Sequence, residues 1–312
     1  MSKRENVGTG EVLAFSDEDS WLTERAKMLT ASDVPAMLGL SPWMSPFSLA
    51  MAKLGLRDRV VETFAMRTGK VLEPVVADQY HLQTGYPLED LGRHTIIRCA
   101  AHPWLGASLD RLVTFPDGSL GVVEIKTTTD YEATGEGSVK RRMYEVQLQT
   151  QLLCAGLTRG VLVVAIGNRE LWVNEYAPHA KLQSVILERG KAFMDGLGTG
   201  ELPSPTHQDA SFVREMFPDD DSGATLNLGE EHAVWADAIA DANERMRAAK
   251  AAADEAKAKL AWAMGSSTLA MLPDGREIKF KSVTRKGYTV AESAHKEMRI
   301  VNVKEKGGTK WE

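Results

Sequence analysis

Asp110, Glu124 and Lys126 are the residues of this chain whose types and spacing could do chemistry together. Glu124 and Lys126 lie two apart in the apolar run 120–126, which reads as a strand. Alternate strand residues share a face, so both side chains point the same way. Asp110 lies in a second such run, 107–113, and the link Thr114-Phe115-Pro116-Asp117-Gly118-Ser119 reads as a hairpin turn. Folding that hairpin would bring Asp110 beside the other two. Two carboxylates and an ammonium on one patch form a site for a hard divalent cation, Mg²⁺ with Mn²⁺ as substitute, and an activated water. Asp110 and Glu124 supply carboxylate oxygens, and the main-chain carbonyl of Ile125 offers a third. A metal-bound water has a lowered pKa and can attack a phosphodiester. Lys126 would orient that water, help deprotonate it, or neutralise charge growing on the phosphate. On an exposed strand the same residues would make only a surface salt bridge, and short charged motifs often match by accident.

The flanking elements must therefore decide. Residues 67–80 read as a helix with Val71, Val75 and Val76 on one face and Glu73 near its start. Residues 143–153 read as a second amphipathic helix, on which Tyr144, Gln147, Leu148 and Gln151 share roughly one face. A Tyr–Gln pair beside apolar residues suits a phosphate or a water near a metal, and equally a solvated helix edge.

The ordered set of motifs resembles a known family. It comprises Arg25 with Thr30-Ala31-Ser32-Asp33-Val34, Gly69-x-x-Leu72-Glu73-Pro74, Ser108-Leu109-Asp110, Glu124-Ile125-Lys126 and Tyr144-x-x-Gln147. Each is weak alone; five in order are specific, and they span about residues 20–200. The chain resembles the YqaJ-type viral recombinase nucleases, the family of the phage lambda exonuclease, which carry the PD-(D/E)xK restriction-endonuclease-like core. Leu109 stands where that motif often has Pro. The resemblance implies that Asp110 and Glu124 hold Mg²⁺ and that Lys126 is the catalytic lysine. It puts Glu73 near the metal, Gln147 on the nucleophilic water or scissile phosphate, and Tyr144 in support. Arg25 and Ser32 match a pocket for a terminal 5′-phosphate. Ser32 and Asp33 precede an apolar helical stretch (Val34, Met37, Leu38), which puts Ser32 near a helix N-terminus, an anion site or an ordinary N-cap. Arg25 adds a bidentate donor.

The implied activity is a Mg²⁺-dependent 5′-to-3′ exonuclease on linear double-stranded DNA. It would leave 3′ overhangs for a single-strand annealing protein, in the cytoplasm of a bacterial host, from a phage or prophage. Family precedent includes ring-shaped trimers, so a homo-oligomer is a further expectation. Two rival readings share these residues: a structure-specific or single-strand endonuclease on the same core, and a non-catalytic DNA-binding module.

Composition bounds these readings. With 312 residues, 43 % of them apolar, the chain can bury a large core and carry a second, smaller unit. No apolar run is long enough to span a membrane, and the N-terminus lacks the apolar run of a signal peptide. Two cysteines, Cys99 and Cys154, cannot build a disulfide framework or a four-cysteine cluster, and both are expected to be inert core residues. The net charge of −6 looks wrong for a DNA-binding protein until it is located. Residues 209–231 hold seven acids against Arg214 alone, which accounts for all of it. Basic patches remain at Lys140/Arg141/Arg142, Lys53/Arg57/Arg59 and Arg67/Lys70, and a nuclease needs a positive groove rather than a positive total.

The expected fold is α/β: a restriction-endonuclease-like core with one central mixed sheet flanked by helices. Strands are expected at 94–98, 107–114, 120–126, 160–167 and 171–177, with helices at 139–156 and 179–197, the last ended by Gly196, Gly198 and Gly200. Residues 1–20 are expected to be mobile and 21–202 to form the nuclease domain, with a break at 40–46 that exposes Trp43 and Met44. Residues 203–228 read as an acidic, Pro-containing linker. Residues 229–312 form an appendage: a long helix to 264, a β-hairpin on Asp274-Gly275, and a mildly basic tail from 285. On that helix Ala238, Ala242, Met246, Ala249, Ala253, Ala256 and Leu260 recur at steps of three or four, and such small residues permit close helix approach.

Overall fold

The structure is a computed structural model that describes residues 5–58, 61–217, 225–284 and 300. Arg59, residues 218–224 of the acidic linker and the basic tail beyond 284 (Ile300 apart) lie outside the described residues. The chain divides into two compact units, residues 1–215 and 216–312.

The first unit runs β1 (Asn6–Val7), β2 (Gly10–Ala14), α1 (Glu18–Ala26), β3 (Leu29–Thr30), α2 (Val34–Met37), α3 (Pro46–Lys53), α4 (Phe64–Thr84) and β4 (Leu88–Glu89). It continues with β5 (Thr95–Arg98), β6 (Leu105–Ala107), β7 (Arg111–Thr114), β8 (Leu120–Thr128), α5 (Val139–Ala155), β9 (Gly160–Ile166), β10 (Glu170–Tyr176) and α6 (Ala180–Thr199). A 3₁₀ turn, His207–Asp209, then leads into α7 (Ala210–Met216).

The expected single sheet is two five-stranded mixed sheets. One has the order β1-β2-β5-β6-β3 with β3 and β6 parallel, the other β10-β9-β8-β7-β4 with β8 and β9 parallel. The strand expected over 107–114 is accordingly broken. β6 pairs in the first sheet and β7 in the second, so residues 108–110 carry the chain from one sheet to the other. Three hydrogen bonds pin this crossing: Ser108 Oγ donates to the Thr95 carbonyl (2.8 Å), Gln151 Nε2 to the Ser108 carbonyl (3.1 Å), and the Ile125 N–H to Asp110 Oδ2 (2.7 Å).

The hairpin expected between the two runs is formed by β7 and β8, with Arg111 opposite Val123 and Gly118 at φ 82° in its turn. α5 packs on the sheets through buried Met143, Val146, Leu148 and Leu152, and both cysteines are buried in the same core. α4 differs from expectation. It buries Val76, Ala77 and Tyr80, while Val71 and Val75 are exposed.

Residues 6–14 are not a loose terminus. They pair through β2 with β5, and Val7 is fully buried. Gly8, at φ 57°, lies so close to α5 that an added Cβ would sit 2.2 Å from the Ala155 carbonyl oxygen. Polar composition hid this ordering, because a short edge hairpin buries few side chains. The linker expected from 203 also differs: residues 207–216 fold onto α3. There Ser45 Oγ donates to Asp209 (2.6 Å), Ser48 bonds the same carboxylate, and Asp209 is fully buried in a capping box with Thr206. Gly196 and Gly198 lie inside α6, which ends instead at Gly200, φ 82°.

The second unit comprises α8 (Glu230–Met264) and the antiparallel hairpin β11 (Leu269–Met271) and β12 (Glu277–Lys279), turned at Gly275, φ 86°.

Candidate active site

The two sheets place the chemistry where they meet. β8 runs past the end of β7: its pairing with that strand stops at Val123, while its parallel pairing with β9 continues to Thr128. Beyond Val123 one edge of β8 is therefore released, and the Ile125 N–H on that edge goes to Asp110 instead. A strand residue's C=O leaves on the same edge as its N–H, so the Ile125 carbonyl faces the same side. Asp110, Ile125, Lys126 and Glu73 line one cleft of about 340 Å³ between β8 and α4.

Glu124 stands behind this cleft, fully buried. Lys126 forms a short ion pair with its Oε1, and Gln151 Nε2 donates to its Oε2. Burying a carboxylate is costly unless it is paired and hydrogen-bonded, and these two partners serve that need. The Lys126 ammonium also lies 5.7 Å over the Tyr144 ring. Burial, then the Glu124 charge, push the Asp110 carboxyl well above the usual carboxylate range, against the pull of Lys126. For Lys126 burial works to lower the pKa, but Glu124 and Asp110 outweigh it and hold the ammonium above its ordinary value. Burial raises the Tyr144 phenol.

Glu73 lies in the middle of α4 rather than near its start, one residue before Pro74. Its carboxylate pairs with Arg111 (2.8 Å), whose guanidinium also approaches Asp90 (3.5 Å). Gln147 is half-buried on α5 and takes no hydrogen bond among the described residues. Asp110, Glu124, Lys126, Ile125, Tyr144 and Glu73 are thus brought together, whereas Gln147, on the same helix as Tyr144, makes no hydrogen bond to them among the described residues.

Two residues of this site were missed from sequence. Gln151, fully buried, bonds both Glu124 and the sheet crossing that carries Asp110. Its signal was available: it shares the Tyr144/Gln147 helix face. Arg111 gave none, since an arginine beside Asp110 reads as a surface strand residue until α4 covers it.

Arg25 and Ser32 also meet. Arg25 Nη2 donates to Ser32 Oγ (2.9 Å) and Thr30 Oγ1 (3.2 Å), with its guanidinium 4.6 Å over Trp21. The helix after Ser32 has only four residues, and Ser32 does not cap it, so the helix N-terminus argument fails. Asp33 instead accepts from Thr30 and pairs with Lys53 (2.7 Å), which also donates to the carbonyls of Arg25 and Met28. Arg25, Lys53, Arg57, Arg67, Lys70 and Arg93 line a groove of about 1460 Å³ that shares Met66 and Lys70 with the cleft. Met44 reaches this groove, while Trp43 is exposed.

An α/β protein with a buried carboxylate–lysine cluster beside a basic groove is the class that fold and site define. Residues 20–158 match the YqaJ-like viral recombinase domain. The chain is also 31 % identical over 228 residues to the uncharacterized protein YqaJ of Bacillus subtilis (strain 168), covering 70 % of each. It therefore belongs to the YqaJ-like viral recombinase family, whose place is in DNA recombination. Among solved structures it is similar to an alkaline exonuclease, LHK-Exo, from Laribacter hongkongensis: 23 % identity, 59 % of this chain and 94 % of that one, TM-score 0.48. A phage-related exonuclease from Haemophilus somnus 129PT matches at 11 % identity, 55 % and 93 % coverage and TM-score 0.41. No helix among the described residues is long and apolar enough to cross a membrane.

Proposed function

We propose that the chain is a nuclease of recombination, specifically a Mg²⁺-dependent 5′-to-3′ exonuclease on linear duplex DNA that leaves 3′ overhangs for strand annealing. The observation that carries this reading is the convergence of Asp110, Ile125 and Lys126 on one cleft, backed by Glu124 and continuous with a basic groove. The donor set fits a hard cation: the Asp110 carboxylate and the Ile125 main-chain carbonyl meet at one edge of β8, with the Glu124 carboxylate behind them. No group of three His, Cys, Asp or Glu side chains forms a ready cage among the described residues, so water and substrate oxygens would complete the shell. When bound, Mg²⁺ (or Mn²⁺) supplies a water of lowered pKa and charge for the phosphate.

Asp110 and Glu124 hold the cation in this reading. Lys126, protonated and paired with Glu124, is suited to donating to a phosphate oxygen as charge develops there, more than to accepting a proton. Glu73 faces the same cleft from α4, and its own pairing with Arg111 favours a contact through water. Gln147, whose side chain takes no hydrogen bond among the described residues, would meet the attacking water or the scissile phosphate, with Tyr144 beside Lys126 shaping that wall. Arg25 and Ser32 take the terminal 5′-phosphate across the groove. The product overhang would pass to a single-strand annealing protein in the cytoplasm of a bacterial host, and the nuclease would act as a homo-oligomer.

The test is digestion of linear duplex DNA with Mg²⁺, each strand labelled at each end, with and without a 5′-phosphate. Mononucleotides released from the 5′ end, faster with the phosphate and absent on closed circles, are expected. Cutting of closed circles would establish an endonuclease instead. Binding without cutting under any divalent metal would mean a non-catalytic module.

A further inference from the structure

The helix α8 carries a seam of residues that are exposed among the described residues. From Trp235 to Leu260, exposed residues recur in alternating steps of four and three: Trp, Ile, Ala, Met, Ala, Ala, Ala, Leu. That is the 3.5-residue period of a coiled coil, sustained over about 39 Å of helix at 1.5 Å per residue. Within its unit α8 buries Met264 at its last turn and leaves Trp235, Ile239, Met246 and Leu260 exposed. In proteins most helical stability comes from packing an apolar face, and the apolar seam of α8 is exposed.

We propose that α8 pairs antiparallel with α8 of a second copy of this chain. Shape is the first reason. Centred between Arg247 and Ala248, an antiparallel pair forms the layers Trp235–Leu260, Ile239–Ala256, Ala242–Ala253 and Met246–Ala249, each made twice. Ile and Met each meet an alanine, the two alanine–alanine layers let the backbones approach, and the bulkiest layers lie at the ends. A parallel pair would stack Trp on Trp and Ile on Ile at one end and leave three successive alanine layers, 249, 253 and 256, toward the other, a seam of uneven width.

Charge is the second reason. Residues 230–244 carry Glu230, Glu231, Asp237, Asp241 and Glu244 with no Lys or Arg. Residues 245–259 carry Arg245, Arg247, Lys250, Lys257 and Lys259 against Asp254 and Glu255. Split at the centre of that register, residues 230–247 have net charge −3 and residues 248–264 net charge +1, so antiparallel pairing sets unlike halves together at both ends of the seam. Parallel pairing sets like against like along its whole length. The occupant that fits both the register and the charge is therefore a second α8. The seam and the candidate site use different residues of the chain, so this inference stands or falls without the proposed function.

The experiment is the mass of the full chain in solution by sedimentation, beside Met246→Glu and Ala249→Glu in the seam and Ala251→Glu on the opposite face. Each seam variant is expected to halve the mass, whatever assembly residues 1–215 make, and Ala251→Glu to leave it unchanged. Circular dichroism checks that the helix persists in the variants. Direction is read by cross-linking in otherwise unaltered chains. Ala242→Cys mixed with Ala253→Cys should form a disulfide-linked pair under mild oxidant, and Ala242→Cys alone should not; the native cysteines are buried. Self-linking of Ala242→Cys would mean a parallel pair and overturn the proposal. A monomeric full chain, or a mass indifferent to the seam charges, would overturn it too and assign the seam to another protein or to the rest of this chain.

Discussion

In residues 1–215 carboxylates lie inside, with Glu124 and Asp209 fully buried, and each is answered by donors from a distant part of the chain. In residues 216–312 apolar side chains lie outside: Trp262 is 90 % exposed and Met246 64 %. A buried charge persists only where the surrounding fold over-determines its partners, so the first unit's polar interior marks a site held by its own packing. An exposed apolar stripe at a regular period has the opposite meaning, since it becomes stable only against a surface from elsewhere. One region is complete in itself around a reaction; the other is half of a contact.

The largest expected effect tests the first half of this contrast. In the proposed reaction Lys126 meets the phosphate, so Lys126→Ala should lower cleavage on the order of 10³-fold with DNA binding nearly kept, while leaving buried Glu124 with Gln151 as its remaining hydrogen-bond partner. Single-turnover rates beside a filter-binding isotherm check it; cleavage at the wild-type rate would put the site elsewhere.

Next come substitutions that ask how tightly the first unit is determined. Gly8→Ala should cost about 2–4 kcal/mol in urea unfolding, combining a left-handed backbone with a clash on the Ala155 carbonyl. Gln151→Leu keeps the volume but strips a donor from Glu124 and from the Ser108 carbonyl. It should cost about 1–3 kcal/mol and raise the Mg²⁺ concentration needed for half-maximal cleavage.

Acid should separate the units further. Burial works to raise the Asp209 pKa, but hydrogen bonds from Ser45, Ser48 and Thr206 outweigh it and hold the carboxyl below its ordinary value. At Asp33 burial is likewise outweighed, by Lys53 and Arg25. A carboxyl depressed in the folded state takes up its proton more readily when unfolded. These two therefore stabilise the first unit at neutral pH, and that stability is lost as pH falls below 3.8. Asp209→Asn should cost about 1–2 kcal/mol at pH 7 and flatten the acid limb of the stability curve. The smallest effect is expected on the second unit: Ala251→Gly, on the outer face of α8, should cost about 1 kcal/mol of helix stability and leave cleavage alone.

Local patterns were legible wherever one element acts alone. The β7–β8 hairpin, the period of α5 and α8, and the Asp274-Gly275 turn follow from residue spacing, because turn chemistry and periodicity act over a few residues. The N-terminal hairpin was illegible for the opposite reason: its order comes from strand pairing with β5 and from the close approach of Gly8 to α5, neither of which leaves an apolar run. The same holds for Asp209, an acid in an acidic stretch until Ser45 and Ser48 are seen across from it.

At the candidate site the division is sharpest. Residue types and order alone singled out Asp110, Glu124 and Lys126 as the candidate set and put Tyr144 and Gln151 on one helix face. Tertiary structure decided that Asp110 sits on a crossing between two sheets rather than within a strand. It also decided that Gln151 and Arg111 complete the cluster and that Arg25 reaches Ser32 without help from a helix end. The physical reason is range. Periodicity and turn preference are written into neighbouring residues, whereas the partners of a buried charge are chosen by whichever distant donors the closed fold brings within hydrogen-bonding reach.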